Sequence, residues 1–157
     1  LHIRPLTRPP ADLPAAPRSL ILIASGSGLA GILGILTRME ARYPARANGL
    51  KHWLIYGERH PEHDRIYASC LEKQREDGIL AWLDRTYSRG NQPQYAQHIL
   101  EAQQERLLSQ LDAGAVIYIC GSADKIGAGT MDTLRRLLGE KTCDHLTKEG
   151  RLHFDTF

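Results

Sequence analysis

Leu20-Ile21-Leu22-Ile23-Ala24-Ser25-Gly26-Ser27-Gly28-Leu29-Ala30-Gly31 is the stretch that decides the fold. Its first five residues are apolar without alternation, the pattern of a strand covered on both faces. Ser25-Gly26-Ser27-Gly28 is turn chemistry. From about Gly28 to Tyr43 the apolar residues recur at helical spacing. The run from Ser19 to Thr37 carries no charge and approaches the length of a membrane span. The glycines in its middle favour a buried strand, a tight turn and a buried helix instead.

The same alternation continues downstream. His52 to Gly57 reads as a second strand, followed by a charged helix from about Asp64 to Glu76. Ile79 to Tyr87 is a third strand. Tyr95, Ile99, Leu100, Leu107, Leu108 and Leu111 mark one face of a helix from Tyr95 to Leu111. Ala115 to Ile119 is a fourth strand with a helix from about Ala123 to Leu138 behind it. A shorter helical piece precedes a last strand, Arg151 to Asp155. Apolar strands alternating with helices predict a doubly wound α/β domain. The expected sheet has five parallel strands in the order 3-2-1-4-5, with helices on both faces. Upstream, residues 5–17 hold five prolines (Pro5, Pro9, Pro10, Pro14 and Pro17), which suits an extended connector rather than a helix or sheet ladder.

The chain of 157 residues is long enough for one well-formed core and too short for two ordinary ones. A formal charge of +2 gives no ground for nucleic acid as a partner. The three cysteines, Cys70, Cys120 and Cys143, are odd in number and widely spaced. They form no C-x-x-C pair, and they suit a reducing, cytoplasmic setting.

In an open parallel sheet, ligands bind beyond the carboxyl ends of the strands, so the chemistry is expected there. After the first strand, Gly26, Ser27 and Gly28 open a helix whose amides and dipole suit a pyrophosphate; packing alone is the competing reading. Glu58, after the second strand, is the acid that an NAD-type domain would use, though later than the usual spacing of ~20 residues. After the third strand come Ser88, Arg89 and Tyr95. A hydroxyl and a guanidinium there can grip a phosphate monoester, and a ring can cover an adenine; a solvated loop is the plainer alternative. Cys120 and Gly121 close the fourth strand, and no base partner for a nucleophilic thiol is evident. His60-Pro61-Glu62-His63 has two histidines but no other ligand cluster, and no metal site is expected.

Taken in order, these strand ends resemble the NADP-binding module of the ferredoxin-NADP-reductase superfamily, in its diflavin-reductase branch. Gly26-Ser27-Gly28-Leu29-Ala30 is similar to the family's G-T-G-[IV]-A, and Tyr56-Gly57-Glu58-Arg59 to its Y-G-x-R. Ser88-Arg89 followed by Tyr95-Ala96-Gln97 resembles S-R…Y-V-Q. Tyr118-Ile119-Cys120-Gly121 resembles Y-V-C-G, and Asp155-Thr156-Phe157 resembles the terminal D-V-[WY]. Departures are Gly31 for proline, Gln94 for lysine, Ser122 for aspartate and Gly129 for an acid, with one residue fewer between Ser88 and Tyr95. Arg85-Thr86-Tyr87-Ser88 also matches a flavin-binding R-x-Y-S in letters, but falls inside the third strand.

The resemblance implies an NADP(H)-binding domain at residues 19–157 and, at residues 1–18, a linker from an upstream FAD-binding domain of the same polypeptide. Hydride would pass from the nicotinamide to FAD, and electrons onward to an unspecified acceptor. FAD, and FMN in the diflavin arrangement, would belong to other parts of the full-length protein, as would any membrane tether. By the same resemblance, Gly26, Ser27, Gly28 and Gly121 would meet the dinucleotide backbone. Ser88 and Arg89 would hold the 2′-phosphate, with Tyr95 near the adenine, and Arg59 and Gln97 would also belong to the cofactor-binding set. Cys120 and Asp155 would lie at the nicotinamide, with Phe157 over the flavin. The departures keep a degenerate nucleotide-binding or interaction domain open as an alternative, and Glu58 does the same for an NAD-dependent Rossmann oxidoreductase.

Overall fold

A computed structural model describes residues 12–61, 67–89, 91–122 and 128–156. Five strands form the sheet: β1 (Leu20–Ser25), β2 (His52–Glu58), β3 (Leu80–Tyr87), β4 (Val116–Gly121) and β5 (Leu152–Thr156). All pairings are parallel, in the order β3-β2-β1-β4-β5. The arrangement is the expected one, and burial explains it. Each residue of β4 and all but the last of β1 are buried, as strands with a neighbour on each side and helices above and below must be. The polar side chains Asp84 and Arg85 fall on β3, which lies at a sheet edge.

Strand residues alternate between two cores. Ile21, Ile23, Trp53, Ile55, Ile117 and Ile119 face one, which is closed by α4 (Ala96–Ala102), α5 (Gln104–Asp112), α6 (Ala128–Leu138) and α7 (Glu140–Lys148). Leu20, Leu22, Leu54, Tyr56, Val116 and Tyr118 face the other, against α1 (Gly28–Arg42) and α3 (Ala68–Glu76). The uncharged run from Ser19 to Thr37 thus resolves into β1, a turn and the first part of α1. No described helix is long and apolar enough to cross a membrane.

Two local features depart from the sequence expectation. The single helix expected over Tyr95–Leu111 is divided at Gln103, whose φ of −113° and ψ of 32° are not helical. Gln103 N–H still donates to Ile99 O, and Leu107 N–H to Gln103 O, so the break is a kink. A one-turn helix, α2 (Ala45–Asn48), stands where none was expected; Gly49 ends it at φ 62°. Of the proline-rich connector, residues 12–18 lie along the domain. Tyr118 donates its hydroxyl to Asp12 O, Tyr43 to Ala15 O, and Arg18 a guanidinium N–H to Gly114 O.

Candidate functional site

Because all five strands run the same way, their carboxyl ends share one edge, and an open cavity of about 830 Å³ lies there. Its wall brings together Ser27 after β1, Arg59 after β2, Ser88 and Arg89 after β3, and Tyr95 at the start of α4. Gly26 and Gln97 join them. Seven of the residues expected at the site are therefore in one wall. Gly28, Cys120, Gly121 and Asp155 sit on the same edge outside that wall, and Phe157 lies outside the described residues.

The turn after β1 needs glycine at residue 26, where φ is +53°. Gly28 needs glycine for another reason: a Cβ there would lie 2.2 Å from the Cys120 carbonyl oxygen. Its small size lets α1 seat directly on β4. Leu29 N–H and Ala30 N–H bond back to the carbonyls of Gly26 and Ser27. An anion at this turn would accordingly meet the amides ahead of them. The Ser27 hydroxyl makes no capping bond to α1.

Backbone bonds carry the β2–β3 ladder past the strand ends. Ser88 N–H donates to Glu58 O at 3.0 Å, and Arg89 N–H to Arg59 O at 2.8 Å. Gln94 N–H donates to Tyr87 O at 2.9 Å and closes the loop that brings Tyr95 back to the edge. At Tyr95, the backbone N–H donates to His98 Nδ1, the residue is 41% exposed, and its ring packs T-shaped with that of His98. The Gln97 amide lies beside Gly129 of α6, where a Cβ would come within 3.1 Å of its Nε2. The glycine that replaces the family's acid thus makes room for Gln97.

Glu58 lines the cavity, yet its carboxylate is committed to Arg85, with Oε2 2.5 Å from Nη2. Arg85, Thr86 and Tyr87 lie within β3, so the R-x-Y-S letters form part of a strand of this sheet. The wall also contains Ser25, Tyr67, Thr86 and Ala96, none of which was expected as a site residue. Ser25 and Thr86 could have been found from their places at strand ends. Tyr67 precedes α3 and has no local signal.

Cys120 belongs to the core on the α1 side, and its Sγ packs against Gly31. Burial, and secondarily the Asp155 charge, push the thiol pKa up. Asp155 is its partner in the β4–β5 register. The thiol is therefore a protonated neighbour of the sheet edge, not a nucleophile. Of the His60–His63 segment, Glu62 and His63 lie outside the described residues.

Comparison with known proteins bears directly on this edge. The profile of the oxidoreductase NAD-binding domain family matches residues 22–128. The chain belongs to that family. A bifunctional cytochrome P450/NADPH–P450 reductase of Bacillus cereus is 34% identical over 126 residues, covering 78% of this chain and 12% of the relative. A sulfite reductase [NADPH] flavoprotein alpha-component of Serratia proteamaculans is 31% identical over 130 residues, covering 82% and 21%. Its counterpart in Neisseria meningitidis is 30% identical over 154 residues, covering 89% and 24%. These relatives place the domain in the diflavin-reductase branch of the ferredoxin-NADP-reductase superfamily. The chain spans less than a quarter of the length of each of these three relatives.

Proposed function

We propose that this domain binds NADPH across the carboxyl edge of its sheet and presents the nicotinamide to FAD held by another domain of the same polypeptide. One observation carries the reading: Ser27, Arg59, Ser88, Arg89 and Tyr95 converge in a single cavity wall from four separate segments. Their chemistry fits the ligand. Two guanidiniums and a hydroxyl suit a phosphate monoester, an exposed phenol ring suits an adenine, and a glycine turn at a helix start suits a pyrophosphate. The commitment of Glu58 to Arg85 weighs against the NAD-type reading, which needs a free acid there.

The cofactors supply the hydride chemistry, and the chain supplies orientation and electrostatics. Ser27 and the turn amides would hold the pyrophosphate at the gap between β1 and β4, where strand order reverses. Arg59, Ser88, Arg89 and Gln97 would hold the adenosine phosphate end. Cys120, kept protonated by burial, would border the nicotinamide with Asp155 beside it, and Phe157 would cover the flavin face. Electron flow continues to an acceptor outside this chain. Three cysteines without a disulfide among them suit a cytoplasmic setting.

Calorimetric titration of the chain with NADP⁺ and with NAD⁺ tests the proposal. Saturable binding with NADP⁺ preferred is the expected outcome. Binding of neither dinucleotide would overturn it and favour a degenerate interaction domain.

A further inference from the structure

Ser25, Gly57 and Thr86 stand side by side near the carboxyl ends of β1, β2 and β3, Ser25 in register with Gly57 and Gly57 with Thr86. Side chains alternate along a strand, so this row points to the same side as Ile23 and Ile55, toward the core closed by α4. All three residues belong to the cavity wall. Because the middle one is glycine, the row holds a notch between two hydroxyl-bearing side chains. A Cβ on Gly57 would lie 3.4 Å from Thr86 Oγ1, 3.7 Å from Ala24 O and 3.7 Å from Ser25 Cβ. These are ordinary contact distances, so the notch has room for a methyl-sized group. The backbone does not call for glycine here, since Gly57 does not have a positive φ.

Thr86 borders the notch and is 1% exposed. Its Oγ1 is buried and has no hydrogen-bond partner among the described residues. A buried hydroxyl in that state weakens a fold, and valine has its shape without the polar atom. An unmet hydroxyl beside an unfilled notch in a cavity wall has a ready physical reason, which is a group that arrives with the ligand. The chemistry of the notch selects that group. The Thr86 hydroxyl both donates and accepts, whereas the Ala24 carbonyl only accepts. A phosphate oxygen accepts only and would meet the carbonyl unfavourably. A hydroxyl suits both, accepting from one and donating to the other.

We propose that the notch over Gly57 is a subsite for a ribose hydroxyl, with Thr86 as a ligand-binding residue that completes its hydrogen bonding only when the dinucleotide is present. This rests on the dinucleotide reading of the cavity. In that reading the 2′ position belongs to Ser88 and Arg89, which follow Thr86 toward the rim. The notch therefore takes a hydroxyl that NADP and NAD share. Thr86 contributes affinity for both, where Arg89 distinguishes between them.

The test combines calorimetric titration with NADP⁺ and NAD⁺ and thermal unfolding of the ligand-free 157-residue chain. Thr86→Val removes the orphaned hydroxyl, so the midpoint should rise by about 2–4 °C. Affinity for both dinucleotides should nevertheless fall roughly three- to tenfold, the loss of one neutral hydrogen bond. Thr86→Ser keeps the hydroxyl and should retain most of the affinity. Gly57→Ala fills the notch without a backbone penalty and should weaken both dinucleotides at least as much, which decides the matter if Thr86→Val does not fold. Affinities unchanged in Thr86→Val and Gly57→Ala overturn the subsite while leaving the dinucleotide site standing. So does a loss confined to one dinucleotide, or a Thr86→Ser variant as weak as Thr86→Val. A fall in both stability and affinity in Thr86→Val means that the hydroxyl is already bonded within the protein, and overturns the inference too. Binding of neither dinucleotide to the unaltered chain overturns the site itself, and this subsite with it.

Discussion

His52 Nδ1 accepts a hydrogen bond from the Leu20 backbone N–H at 3.0 Å, joining the first residue of β2 to the first of β1 at the edge opposite the cavity. The ring is fully buried. Its proton therefore sits on Nε2, which has no hydrogen-bond partner among the described residues; Glu40 Oε1 is 3.8 Å away. Burial lowers the pKa from 6.5 to about 4. Protonating Nδ1 would break the bond to Leu20 and bury a charge.

A pH dependence of stability follows. Between about pH 4 and 6.5 the unfolded chain binds a proton at residue 52 that the folded chain excludes, so stability rises with pH through that window. The contribution is complete above the unfolded pKa and is lost as pH falls toward the folded one. Its full size is on the order of 3 kcal/mol. His52→Gln removes the titrating group. Urea unfolding across pH 4 to 7 should show a shallower slope in the variant, and parallel curves would refute the assignment.

Glycines 28 and 34 of α1 should respond in opposite ways to alanine. At Gly28 the new Cβ meets Cys120 O at 2.2 Å and Gly121 N at 2.8 Å, both backbone atoms that cannot turn aside. Gly28→Ala should cost about 1–3 kcal/mol or more, as helix and strand are forced apart. At Gly34 nothing lies within 4 Å, and the change should stabilise the helix by about 0.5–1 kcal/mol. Chemical denaturation measures both. Equal effects at the two positions would mean that the contact of α1 with β4 is not as close as described.

Arg89 is exposed in the cavity wall and follows a serine held on the β2–β3 ladder. A charge-assisted bond to a phosphate contributes roughly 1.5–3 kcal/mol. Arg89→Ala should therefore weaken NADP binding at least about tenfold and leave NAD binding nearly unchanged. Equal losses for the two dinucleotides in calorimetry would place Arg89 away from the distinguishing phosphate.

The strand order, the parallel sheet and the edge that carries the cavity were legible in the sequence. The reason is local. Uninterrupted apolar strands such as Leu20–Ala24 have to be covered on both faces, and glycine turns at their ends leave backbone exposed along one rim. The motifs after β1, β2 and β3 could be assigned to that rim because they directly follow the strands. What only the tertiary structure decided are relations between side chains far apart in sequence. The pairing of Glu58 with Arg85 needed the β2–β3 register, which places Tyr56 opposite Arg85. The use of Gly28 to admit the Cys120 carbonyl, and of Gly129 to admit Gln97, depended on how closely α1 meets β4 and α6 meets α4. The kink at Gln103 has no glycine or proline to announce it. Periodicity records which face of one element is apolar, but it carries no record of which residue of another element that face will meet.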